Sequence, residues 1–97
     1  MSHIERNNNR IQVSGDLRDF HHLLAQIHQC IEDAGYTDLI LDMSECTSAF
    51  QNSMLSVCAQ VVAYRESGID IELIPPADGR LHNLFRNTNW GYYLDPR

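Results

Sequence analysis

The sequence predicts a single α/β domain over residues 1–97, with a mixed four- to five-stranded sheet and three or more helices. Three observations predict it. Leu39, Ile40, Leu41 and Met43 form a nearly continuous apolar run, as in a strand covered on both faces of a parallel sheet. Apolar residues recur at helical spacing before that run (Leu17, Phe20, Leu24, Ile27, Ile31, Ala34) and after it (Phe50, Met54, Cys58, Val61). A second strand pattern follows, with Ile69, Ile71 and Leu73 alternating with Asp70 and Glu72. A strand–helix–strand unit of this kind crosses over right-handed and sets its two strands parallel.

The elements follow in chain order. Ile4 belongs to a short edge strand, and Asn7-Asn8-Asn9 reads as a turn. Arg10-Ile11-Gln12-Val13-Ser14 alternates polar and apolar and forms the second arm of a hairpin, ended by Gly15 and Asp16. The first helix is expected over 16–34, capped by Asp16 or Asp19 and stopped by Gly35. Its outer face carries His21, His22, Gln29, Glu32 and Asp33. The central strand spans 39–43, with Asp42 near its carboxyl end, and a polar loop spans 44–53. Helix two starts either at a capping box of Ser48 and Gln51 or one turn later with Asn52 as cap, and ends near Ser67-Gly68. The strand over 69–74 stops at Pro75-Pro76. Asp78 caps a third helix carrying Leu81, Leu84 and Phe85, which Asn87-Thr88-Asn89 ends. Trp90, Tyr92, Tyr93 and Leu94 fold back on the core, with a last short strand expected at 91–94.

Composition narrows the function. The net charge is −6, and the basic residues are seven arginines with no lysine among thirteen acids. Nucleic-acid binding needs a basic surface, and an anionic membrane would repel this one. No apolar run approaches the ~20 residues of a membrane span, and no signal-peptide pattern opens the chain. Cys30, Cys46 and Cys58 show no CxxC spacing and read as free buried thiols. These features predict a cytoplasmic protein that binds neither nucleic acid nor membrane.

Chemical motifs are sparse. His21, His22 and His28 lack the i, i+4 spacing of a helical zinc pair. Asp42 stands where receiver domains hold their phosphoacceptor, but the lysine such domains need is missing, so Asp42 reads as a structural residue bonding nearby amides. Ser53 and Cys46 lack the elbow or base signature of a hydrolase nucleophile, and no phosphate-cradling glycine loop occurs. The expectation is a non-enzymatic domain without a cofactor or metal.

Asp42-Met43-Ser44-Glu45-Cys46-Thr47, between an apolar strand and a helix, resembles the STAS domain. That module is shared by bacterial anti-sigma-factor antagonists and the cytoplasmic tails of sulphate transporters. The family reads apolar strand, Asp-Leu-Ser, a short spacer, then Asp-Ser-x-Gly-Leu at the helix start. Residues 10–16 look like its second strand and turn, and 69–75 like the strand before its last helix. The family's Asp-Ser-x-Gly-Leu falls on Phe50-Gln51-Asn52-Ser53-Met54, so Gln51 replaces the phosphorylatable serine and Phe50 the acid before it. Gln51 cannot accept phosphate.

The resemblance implies a STAS-like fold and a regulatory role in signal transduction through protein–protein contacts. It implies a partner such as a histidine-kinase-like ATPase, in trans or fused beyond Arg97, or another STAS domain. Ligands and partners gather at the carboxyl ends of strands in α/β sheets. The expected partner surface is therefore Ser48, Phe50, Gln51, Asn52 and Ser53. Phe50 reads either as a core anchor of helix two or as an interface aromatic. Ser53 is the nearest substitute phosphorylation site. A different class of function, a small-molecule or nucleotide sensor, would bind an anion at the N-terminus of helix two.

Overall fold

A computed structural model describes residues 3–17, 20–49 and 51–95, with only the backbone of Gln51. Strand β1 (His3–Asn7) and strand β2 (Arg10–Leu17) form the expected hairpin, paired antiparallel from His3↔Ser14 to Asn7↔Arg10. Asn8 turns the chain with φ 57°, a left-handed conformation that asparagine tolerates better than most residues. Helix α1 (Phe20–His28) leads into a π-helical turn (Gln29–Asp33). Gly35, at φ 78°, closes that turn, with Tyr36 N–H reaching back to Cys30 C=O at 3.1 Å. Strand β3 (Asp38–Ala49), helix α2 (Gln51–Glu66) and strand β4 (Asp70–Ile74) follow. Helix α3 (Gly79–Asn87) and the short helix α4 (Trp90–Leu94) complete the described chain.

The four strands form one sheet in the order β1-β2-β3-β4. Strand β3 is central and lies parallel to both neighbours, with Ile11↔Leu41 on one side and Leu41↔Leu73 on the other. The chain therefore is α/β, with a four-stranded mixed sheet and four α-helices among the described residues. Both crossovers step in the same direction across the sheet. Right-handed crossovers that keep one direction put their helices on one face. Ile11, Val13, Leu39, Leu41, Met43 and Ile71 point into that face. They meet Leu23 and Ile27 of α1, Met54, Val57 and Val61 of α2, Leu81 and Phe85 of α3, and Trp90 and Leu94 of α4 in a single core.

Several expectations change. The strand over 39–43 is covered on one face only, because Ile40 and Ile74 lie half-exposed away from the core. Strand β2 does not end at Gly15 but runs on to Leu17, through a register shift at Gly15, whose φ of 75° suits a bulge. Asp16 and Leu17 thus belong to a strand, helix α1 begins only at Phe20, and Ala34 is exposed. Asp19, the other expected cap, lies outside the described residues. Residues 44–49 are not a loop: they extend β3 and pair with β2, from Ser14↔Glu45 to Leu17↔Ala49. Asp42 accordingly sits mid-strand. Residues 91–94 form helix rather than strand, because Trp90 and Leu94, four apart, are the buried pair while Tyr92 and Tyr93 stay exposed. The Asp78 cap holds, its carboxylate accepting Leu81 N–H at 3.1 Å.

Strand β4 is an edge strand, and its outer side is closed by side chains rather than by another strand. Arg65, in the last turn of α2, donates to Ile71 C=O (2.7 Å), Leu94 C=O (2.5 Å) and Tyr93 C=O (3.1 Å). Asp95 accepts Leu73 N–H at 3.0 Å. One guanidinium thus satisfies the carbonyls at the end of α4 and ties that helix to β4.

Two stability outcomes follow from this packing. Leu41 is fully buried; Leu41→Ala should cost about 2–5 kcal/mol in denaturant unfolding, the usual range for a truncated core leucine. Arg65→Met keeps the apolar stem and removes all three bonds; it should cost about 2–3 kcal/mol, and a midpoint equal to wild type would show that the guanidinium carries no net load.

Candidate functional site

The positions expected to face a partner lie where β3 hands over to α2. Ser48 does not cap the helix. It is half-buried in the extended β3, opposite Asp16, and its carbonyl accepts the Cys46 thiol at 3.4 Å. Nor is Asn52 the cap, since α2 already includes Gln51. Phe50 and the side chain of Gln51 lie outside the described residues. Asn52 is exposed, whereas Ser53 is only 5% exposed and turned inward beside Met54. A kinase would have to open the first turn of α2 to reach the Ser53 hydroxyl.

The sequence reading missed Leu55, which is 58% exposed on the same turn as Asn52. A signal for it existed: Met54, Val57, Cys58 and Val61 define the inward stripe, and position 55 falls outside it. From Leu55 an apolar groove of about 560 Å³ runs along α2 against α4, lined by Ala59, Val62, Trp90 and Tyr93. The middle of β3 is also met by the loop after β4, where Ala77 N–H bonds Ser44 C=O at 3.1 Å.

Asp42 anchors the other face of the same strand. Its carboxylate accepts Ser44 N–H (2.9 Å), where the pairing with β2 shifts register, and pairs with Arg10 at 2.5 Å. Burial alone would raise its pKa. The Ser44 hydroxyl and amide, with the Arg10 guanidinium, together outweigh that and hold it below its ordinary value of 3.8. Both carboxylate oxygens are thus engaged within the sheet, in keeping with a structural role.

The cysteines are free and buried. Burial pushes the thiols of Cys46 and Cys58 up to about 11, so neither supplies a thiolate nucleophile near neutral pH. His21, His22 and His28 are exposed, and His28 Nδ1 lies 3.3 Å from the Tyr64 hydroxyl. Among the described residues no three His, Cys, Asp or Glu side chains converge as a metal would require, and no helix is long and apolar enough to cross a membrane. No protein-family model matches the chain, and a search of characterised proteins finds no similar sequence.

The depressed pKa of Asp42 gives a signed pH dependence. Its contribution is complete above the unfolded value of 3.8 and is lost as pH falls through the lower folded value. Asp42→Asn should therefore lower the melting temperature at pH 7, and the gap to wild type should narrow as the pH drops below about 4. A gap independent of pH would remove the ion pair from the account.

Proposed function

We propose that this domain is a regulatory protein-interaction module of STAS-like fold, which docks a protein partner through the exposed start of α2. The observation that carries the reading is Leu55, a large aliphatic side chain held 58% in solvent beside exposed Asn52 and at the mouth of the apolar groove along α2. Exposed apolar surface joined to a concave groove is the usual form of a docking site. The strand order, with β3 parallel to both neighbours and α2 leaving its carboxyl end, is in keeping with the STAS resemblance. On that resemblance the partner is a histidine-kinase-like ATPase or a sister STAS domain in the cytoplasm.

Binding is constitutive in this reading. Gln51 adds no switchable charge, and Ser53 is packed inward. A phosphate of about −1.5 to −2 charge on Ser53 would have to be buried or would unseat the helix start.

The test pairs the domain with such an ATPase encoded beside it and measures binding by calorimetry. Leu55→Asp and Phe50→Ala should each weaken binding about tenfold or more, the scale of an interface anchor. Leu55→Asp should leave the melting temperature unchanged, because the side chain already faces water. Undiminished binding by Leu55→Asp would overturn the proposed surface. Intact mass of protein from its native host should show no phosphate on Ser53, and Ser53→Glu should lower the melting temperature rather than act as a switch.

A further inference from the structure

A second concave site lies on another side of the molecule from the α2 groove. It is a cavity of about 440 Å³ between the carboxyl end of β4, the last turns of α3 and the start of α4. That volume falls in the range of small-molecule sites, and the end of a parallel strand is where such sites form in α/β sheets. Leu73, Phe85 and Tyr92 supply apolar and aromatic wall. Arg86 also lines the cavity, and its guanidinium forms no hydrogen bond or ion pair with any described residue. Asn89 adds a side-chain amide from a left-handed position at φ 65°. His82 closes one end; its Nδ1 donates to Pro76 C=O at 3.2 Å, since a carbonyl only accepts, and this fixes the ring.

We propose that this cavity binds a small aromatic monocarboxylate, with the ring against Tyr92 and Leu73 and the carboxylate on Arg86. A guanidinium presents parallel N–H donors that match a carboxylate bidentately. Charge selects the monoanion. Asp95 also lines the cavity, and its carboxylate is tied to Leu73 N–H at 3.0 Å. The Asp95 carboxylate opposes each added negative charge, so a singly charged carboxylate is favoured over a doubly charged phosphate. The wall leaves space for a flat apolar body, so a bare inorganic ion would leave the aromatic surface wet.

The test is an amide NMR titration of the whole chain with phenylacetate, its neutral isostere phenylacetamide, and inorganic phosphate. Phenylacetate should bind saturably and shift amides of residues 73–75 and 82–95. Phenylacetamide and phosphate should each bind about tenfold or more weaker, the scale of one lost charged hydrogen-bonded pair. Arg86 is exposed, so Arg86→Gln should fold with an otherwise unchanged spectrum and lose about tenfold or more in phenylacetate affinity. No saturable binding of phenylacetate, equal binding of the amide, tighter binding of phosphate, or full affinity in Arg86→Gln would each overturn the proposal.

Discussion

The parallel pairing of β3 with β2 on one side and β4 on the other is the constraint from which the rest of the molecule follows. Parallel neighbours cannot be joined by a tight turn, so each pairing requires a crossover helix. Both crossovers step the same way, so α1 and α2 share one face of the sheet. All buried apolar residues then fall into one core on that face. The opposite face is left to Glu5, Gln12, Asp38, Glu72 and the half-exposed Ile40 and Ile74. The polar–apolar alternation of β2 and β4 is the sequence counterpart of that one-sided burial.

One-sided layering leaves problems at the strand ends and at the edge, and single side chains resolve them. On the open face Asp42 is 2% exposed, and it is tolerable there only because Arg10 and Ser44 meet both of its oxygens. At the β4 edge, Arg65 and Asp95 take the place of a fifth strand. Edge strands left unpaired invite pairing with other chains, and these side chains occupy part of the β4 edge. They position α4 as well, which gives a wall to each cavity: Trp90 and Tyr93 line the groove against α2, and Gly91 and Tyr92 line the pocket beside α3.

The same layering shapes what the surface can do. The carboxyl ends of the strands carry the α2 start on one side and the β4–α3 pocket on the other. The first has a large exposed aliphatic at the mouth of a mainly apolar groove, which suits a protein surface. The second has an uncommitted arginine over aromatic walls, which suits a small anion. Separate chemistry on separate elements lets one be disturbed without the other.

The sequence by itself determined the local elements whose signals are strong. The Asn8 turn, the Asp78 cap, the stops at Gly35 and Gly68, and the inward Met54, Cys58 and Val61 of α2 all appear where composition and periodicity put them. It also held the parallel β3–β4 pair, because a helix between two apolar strands leaves little choice of topology. Tertiary structure decided the rest. Ser44-Glu45-Cys46-Thr47-Ser48 is polar enough for a loop, and it becomes strand because β2 runs alongside and Cys46 fills the core. Trp90 to Leu94 fits either period, and it becomes helix because Arg65 takes its terminal carbonyls while Trp90 and Leu94 pack inward together. The burial of Ser53, the exposure of Leu55 and the placing of Arg86 beside Tyr92 in one cavity depend on which face each helix turns to its neighbours. Spacing along the chain gives that face only relative to its own helix; the neighbours give it absolutely.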